Sequence, residues 1–143
     1  IPLARWESIL NVPDVEFVSL QYTDSDAEID AVNSLGYKIQ KRPEAKVQDY
    51  YETAQLVASC DLVISCCTSI IHLAGALGVP CWVMVPNKPA WRYGITGGMP
   101  WYRSVRLYRQ PEGDVLAWKT VVERVGFDLS ELMQANSKQR KVA

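Results

Sequence analysis

Two short runs in this chain are apolar without polar alternation, Leu62-Val63-Ile64 and CWVMV from Cys81 to Val85. Successive side chains of a strand point to opposite faces, so a strand apolar at every position must be covered on both sides. Both runs therefore belong in the middle of a parallel sheet with helices above and below it. Helical patterns lie where such a sheet needs them. Tyr51, Ala54, Val57 and Ala58 recur at helical spacing ahead of the first run. Thr68 to Leu77, nearly all small or apolar, follows it and is terminated by Gly78 and Pro80.

The flanks extend this order. Ile1 to Asn11 reads as a first helix, with Pro2 near its start, Leu3, Trp6 and Leu10 at helical spacing, and Pro13 closing it. Val15 to Leu20 alternates as a strand, and Ser25 with Glu28 has the spacing of a capping box. Ala27, Ala31, Val32 and Leu35 form one helical face that Gly36 ends, before a short strand at Tyr37 to Gln40 and a loop at Lys41 to Lys46. Val105 to Tyr108 makes the last strand. Val115, Trp118, Val122 and Val125 then line a helix that continues past a break at Gly126 toward Leu132. The expected fold is α/β, a doubly wound parallel sheet in three layers, Rossmann-like, with one domain over residues 1–136 and a frayed polar tail at 137–143.

At 143 residues and 48% hydrophobic content the chain can bury one core. Its formal net charge of −1 gives no field that would draw the whole chain to nucleic acid or an anionic membrane. No run approaches the ~18 apolar residues of a spanning helix, and the start lacks the basic-then-apolar order of a secretory signal. The expected location is cytoplasmic. Of the four cysteines, Cys60, Cys66, Cys67 and Cys81, three sit in or beside apolar runs that should become buried strands, which points to buried free thiols. Adjacent Cys66 and Cys67 lack C-x-x-C spacing and no second pair has metal-ligand spacing, so neither a metal site nor a cofactor is expected.

In such folds ligands bind outside the carboxyl ends of the strands. Three turns there carry candidate chemistry. In the first, Thr68 and Ser69 offer hydroxyls at the start of a helix whose first amides lack intrahelical partners, and His72, the sole histidine, follows three residues later. A phosphate could take those amides, a hydroxyl and a charge-assisted bond from a protonated His72. The same residues equally describe a plain helix cap at Ser69 with His72 bonded to a neighbouring loop. In the second, residues 86–104 gather Trp91, Tyr93, Trp101 and Tyr102 with Lys88, Arg92 and Arg103, a mixture that stacks on a flat base or sugar and pairs with phosphate. Aromatic loops also pin themselves to their own domain, and Trp101 after Pro100 has the look of such an anchor. In the third, Gln21, Tyr22, Thr23 and Asp24 follow the first strand, where a helix cap is the simpler role. Ala74, Gly75, Ala76 and Gly78 let the Thr68 helix lie close to the sheet. No dinucleotide, P-loop or nucleophile-elbow motif is present, and no catalytic set is complete.

DLVISCCTSIIHLAGALGVPCWVMVP, then PAWRYG and PWYRSVRLYRQ, resemble the carboxyl-terminal part of glycosyltransferase family 9-like domains. These are heptosyltransferase relatives found at the end of bacterial tetratricopeptide-repeat proteins. IPLARW and FVSLQY extend the likeness to about Phe127. The resemblance implies one half of a GT-B fold, the half that binds the nucleotide-sugar donor, and it implies that Thr68, Ser69 and His72 lie at the donor phosphates. Gln21, Tyr22, Lys88, Trp91 and Arg92 are then candidates for the donor nucleotide or sugar. Two departures stand out. Cys67 occupies the position where the family usually has aspartate, and an uncharged thiol cannot replace a carboxylate as acceptor or base. The family's further strand and Gly-Asn-Pro-type loop ahead of Pro2 are missing, which leaves a sheet edge where a second copy or an amino-terminal portion could pair.

The expected function is thus the nucleotide-sugar or nucleoside-diphosphate binding half of a glycosyltransferase-like protein, not catalytically complete alone and independent of metal if active. Its alternative is a stand-alone nucleotide-binding or self-associating module without transferase activity. Which residues would be catalytic is not readable from this sequence.

Overall fold

The computed structural model describes residues 1–45, 50–112 and 118–140, with side chains described to residue 137. Lys46 at the end of the expected loop, Val115 of the expected helix face, and residues 141–143 of the tail lie outside them. Among the described residues, five strands and five α-helices follow in the order α1 (Glu7–Leu10), β1 (Phe17–Val18), α2 (Asp26–Ser34), β2 (Ile39–Gln40), α3 (Tyr50–Ala58), β3 (Val63–Cys66), α4 (Ser69–Ala76), β4 (Cys81–Val85), β5 (Val105–Arg109) and α5 (Trp118–Arg140).

Both apolar runs become parallel strands, but only the second is central: β3 stands at an edge of the three-stranded sheet and, apart from Val63, is half-buried. β4 lies between β3 and β5, with Val63 opposite Cys81 and Cys81 opposite Val105. Alternate β4 residues serve opposite faces, as the pleat requires. Cys81, Val83 and Val85 join Val57 of α3 and Ile71 and Ala74 of α4 in one core. Met84 joins Tyr108, Ile9 of α1 and Val121, Val122, Val125 and Leu129 of α5 in the other. The result is a three-layer, Rossmann-like α/β fold. β1 and β2 form a separate parallel ladder, Phe17 opposite Ile39, and Phe17 packs both into the α2 cluster and into the α5 cluster.

Local departures from the sequence reading have tertiary causes. The first helix is broken into a 3-10 turn at Leu3–Arg5 and then α1. Ile1 and Trp6 serve the α5 cluster while Leu3 and Leu10 serve the α2 cluster, and one regular stripe cannot face both. The capping box does not form. Ser25 is the N-cap of α2 but makes no side-chain cap bond, and Glu28 Oε1 instead accepts the Leu3 N–H at 2.6 Å. Asp24 Oδ1 accepts the Asp26 N–H at 3.2 Å. Helix α5 runs unbroken through Gly126, because the missing side chain is what lets α1 approach: a Cβ there would overlap the Ser8 carbonyl. Of the small residues in α4, Ala74 is the one buried against the sheet. Gly75 instead receives the ring of Tyr102, which any Cβ would overlap. Gly78, at φ +73°, closes α4 in a Schellman motif, with Gly78 N–H to Gly75 O at 3.2 Å and Val79 N–H to Ala74 O at 2.9 Å.

All four cysteines are free thiols. Burial pushes the Cys81 thiol up from 9.0 to about 12, and burial together with its bond to Asp128 raises the Tyr108 phenol. Between pH 9 and 12 the unfolded chain ionises Cys81 while the folded chain keeps the proton, so stability is complete below pH 9 and lost as pH rises through that window. Denaturation midpoints measured from pH 8 to 11 should fall, and Cys81→Ala should make the decline shallower. An unchanged slope would remove Cys81 as its source. Among the described residues no helix is long and apolar enough to cross a membrane.

Candidate functional site

Strand β3 delivers the chain to a turn at Cys67, where the Thr68 N–H returns to the Cys66 carbonyl at 2.8 Å. Thr68, extended at φ −121° and ψ 174°, is the N-cap of α4, so Ser69 is the first helical residue and not the cap. The Thr68 hydroxyl is 3.2 Å from that of Ser65 and makes no bond to the helix end. The first-turn amides of α4 are left without a side-chain cap, no acidic residue lies in that turn, and Thr68 and Ser69 are exposed. Such an end carries the positive pole of the helix.

One turn further, half-buried His72 is bracketed by two tyrosines of the 86–104 loop. Its ring centroid lies 6.2 Å from that of Tyr93 and 5.8 Å, edge-on, from that of Tyr102. The histidine thus meets the neighbouring loop through its ring. Tyr102 is in turn seated on Gly75. The loop is anchored by buried Tyr93 and Met99, not by Trp101, which is largely exposed and donates its Nε1–H to the Arg92 carbonyl at 3.0 Å. Pro100 before Trp101 signalled an anchor, but the core has room for Tyr93 between the sheet and α4, and that ring took the place.

Arg109, at the end of β5, holds the loop from behind. Its guanidinium donates to the Gly94 carbonyl at 3.0 Å, to the Gly97 carbonyl at 3.2 and 3.3 Å, and to the Tyr93 carbonyl. The sequence reading missed this residue. Its sequence signal, an arginine closing the last strand after a glycine-rich loop, does not say which carbonyls it will meet.

Cys67 lies beneath the same loop. Its thiol approaches the Met84 carbonyl at 3.8 Å and the Tyr93 hydroxyl. Burial pushes it up, against the opposing pull of Tyr93, Arg92 and Arg109, so the thiol is neutral at pH 7. Arg92 lies over the Tyr93 ring at 5.7 Å. The structure thus gathers Cys67, His72, Arg92, Tyr93 and Tyr102 beside the start of α4 at Thr68 and Ser69. Gln21 is engaged in its own loop, where Nε2 donates to Thr23 Oγ1 at 3.3 Å, and Tyr22 is exposed beside it. Lys88 is exposed in the turn after β4, and Trp91 is exposed in the 3-10 turn Trp91–Tyr93.

The site is an open ledge. Two clefts lie elsewhere, one of about 190 Å³ lined by Leu3, Leu10, Val32 and Tyr37, and one of about 300 Å³ lined by Val12, Pro13, Met133 and Gln134. No cluster of three or more His, Cys, Asp or Glu residues able to hold a metal occurs among the described residues.

Fold and ledge together define a Rossmann-like α/β domain with an uncapped helix end at the carboxyl edge of its sheet. In sequence the chain is 36% identical over 132 residues to Protein FlbA of Caulobacter vibrioides (strain ATCC 19089 / CIP 103742 / CB 15). That alignment covers 91% of this chain and 22% of the relative, so the chain spans about a fifth of the length of the curated protein it matches. No family model and no solved structure matches the chain.

Proposed function

We propose that this chain is the nucleotide-sugar binding half of a glycosyltransferase-like protein of GT-B type, acting in the cytoplasm and not catalytically complete alone. The observation that carries the reading is the uncapped start of α4 at the end of β3, with His72 one turn behind it and no carboxylate in the first turn. A diphosphate is the anion such an end favours, since the amides and the helix dipole meet its charge without a metal. An open ledge also suits a ligand held between two walls, the second supplied by an amino-terminal half or a partner chain. Neutral Cys67 next to the ledge favours a second reading, a binding module without transferase activity, because no charged base stands at that position.

Ligand-observed NMR against UDP, ADP, GDP and CMP and their sugar conjugates tests the proposal. Saturable binding is expected, weakened about tenfold or more by His72→Ala, the loss of one charge-assisted hydrogen bond. Absence of binding by all of these ligands, or binding indifferent to His72, would return the ledge to a structural role.

A further inference from the structure

Rings, not hydrogen bonds, hold His72. Among the described residues its imidazole makes no hydrogen bond, and its neighbours are the rings of Tyr93 and Tyr102, at 6.2 and 5.8 Å. The two tyrosines are fixed in different ways. Tyr93 is buried in the core between the sheet and α4, a place it would fill whatever residue stood at position 72. Tyr102 is half-buried, and its seat is the backbone of α4 itself, at Gly75.

That seat exists because residue 75 has no side chain. A Cβ there would come within 2.9 Å of Tyr102 Cβ, Cγ and Cδ2, so the seat is made with the ring and its stem and not with the hydroxyl. Packing against the sheet does not require this glycine, since Ala74 is the residue that α4 buries there. Helix propensity opposes it, glycine being the poorest helix former after proline. Its visible consequence is a ring placed one turn behind His72, because residues three apart share a helix face. Helical side chains lean toward the N-terminus, so the imidazole of residue 72 covers the turn that begins at Thr68 and Ser69. Tyr102, edge-on behind it, closes the opposite direction.

We infer that Tyr102 is a positioning residue of the ledge: its ring, seated on Gly75, holds the His72 imidazole over the open first turn of α4. This role rests on the diphosphate reading of the ledge and adds a means of regulation to it, because Tyr102 rides on the 86–104 loop. A displacement of that loop releases the imidazole, so the loop as well as α4 sets the affinity for the anion.

The test is titration of the full chain with inorganic pyrophosphate, read at the Ser69 and Ile70 amides by NMR, with Tm showing that each variant folds. Tyr102→Leu should weaken binding about fivefold, and Gly75→Ala, which keeps the tyrosine and removes its seat, by a similar factor. Tyr102→Phe should stay within about twofold of the parent, since it keeps the ring. His72→Ala should weaken binding about tenfold, and adding Tyr102→Leu to it should cause no further loss, because no imidazole is left to position. The sole histidine gives one imidazole Hε1 signal, which without any ligand should move in Tyr102→Leu and Gly75→Ala and hold in Tyr102→Phe. Equal loss from Tyr102→Leu with and without His72 would make Tyr102 a packing residue and overturn the inference. Parental affinity in Tyr102→Leu and Gly75→Ala would overturn it too, while binding that His72→Ala still weakens would leave the diphosphate reading standing. Pyrophosphate that does not bind the parent would sink that reading and the positioning role with it.

Discussion

Replacing Arg109 with alanine should release the 86–104 loop and lower stability by about 2–4 kcal/mol, the cost of removing charge-assisted donors from the part-buried carbonyls of Tyr93 and Gly94 and the exposed one of Gly97. Water can replace the guanidinium at exposed Gly97 but less readily at Tyr93, whose residue is buried, so the cost concentrates there. Arg109→Lys should recover only part of it, because one ammonium cannot span the carbonyls of Tyr93, Gly94 and Gly97 as a planar fork does. Urea midpoints measure the stability, and limited proteolysis between residues 94 and 98 measures the loop. A variant with parental midpoint and parental cleavage would show that Tyr93 and Met99 suffice to hold the loop.

A comparable loss should follow Gly126→Val. Propensity alone argues for a gain, since glycine inside a helix costs up to ~1 kcal/mol relative to alanine. Packing opposes it. The first atom of any side chain at this position meets the backbone carbonyl of Ser8, which cannot rotate away as a side chain would. Overpacking of that kind costs ~1–3 kcal/mol, and the added valine methyls and the displacement of α1 from α5 bring the expected loss to ~3 kcal/mol. Gly126→Ala should lose less but keep the same sign. Thermal unfolding of the two variants checks the order, and a stabilised Gly126→Ala would mean that helix propensity outweighs the α1–α5 contact.

Patterns set by the covalent period of the chain were legible in advance. β4 has the bounds that its unbroken apolar run implied, and β3 and α4 lie within a residue of their expected places. Gly78 ends α4 as expected, because a left-handed residue after a helix favours glycine whatever surrounds it. The candidate site was legible in part. His72 and the aromatic loop are neighbours, but the loop's anchor was misplaced to Trp101 and its clasp, Arg109, was not seen. Which ring fills a space depends on the shape of that space, and a sequence does not contain it.

Gly75 and Gly126 make the same distinction at single positions. Both read as small residues or a helix break, yet one seats Tyr102 and the other admits α1, contacts made by residues far away along the chain. Alone, the sequence of this protein determined the parallel α/β architecture, the central place of β4 and the ends of α4, since periodicity and turn chemistry act over a few residues. Only the tertiary structure decided that the start of α4 is uncapped, that Tyr93 rather than Trp101 is buried, and that Arg109 clasps the loop. Each of those outcomes is a competition between partners distant in sequence, settled by burial and hydrogen-bond geometry once the layers close.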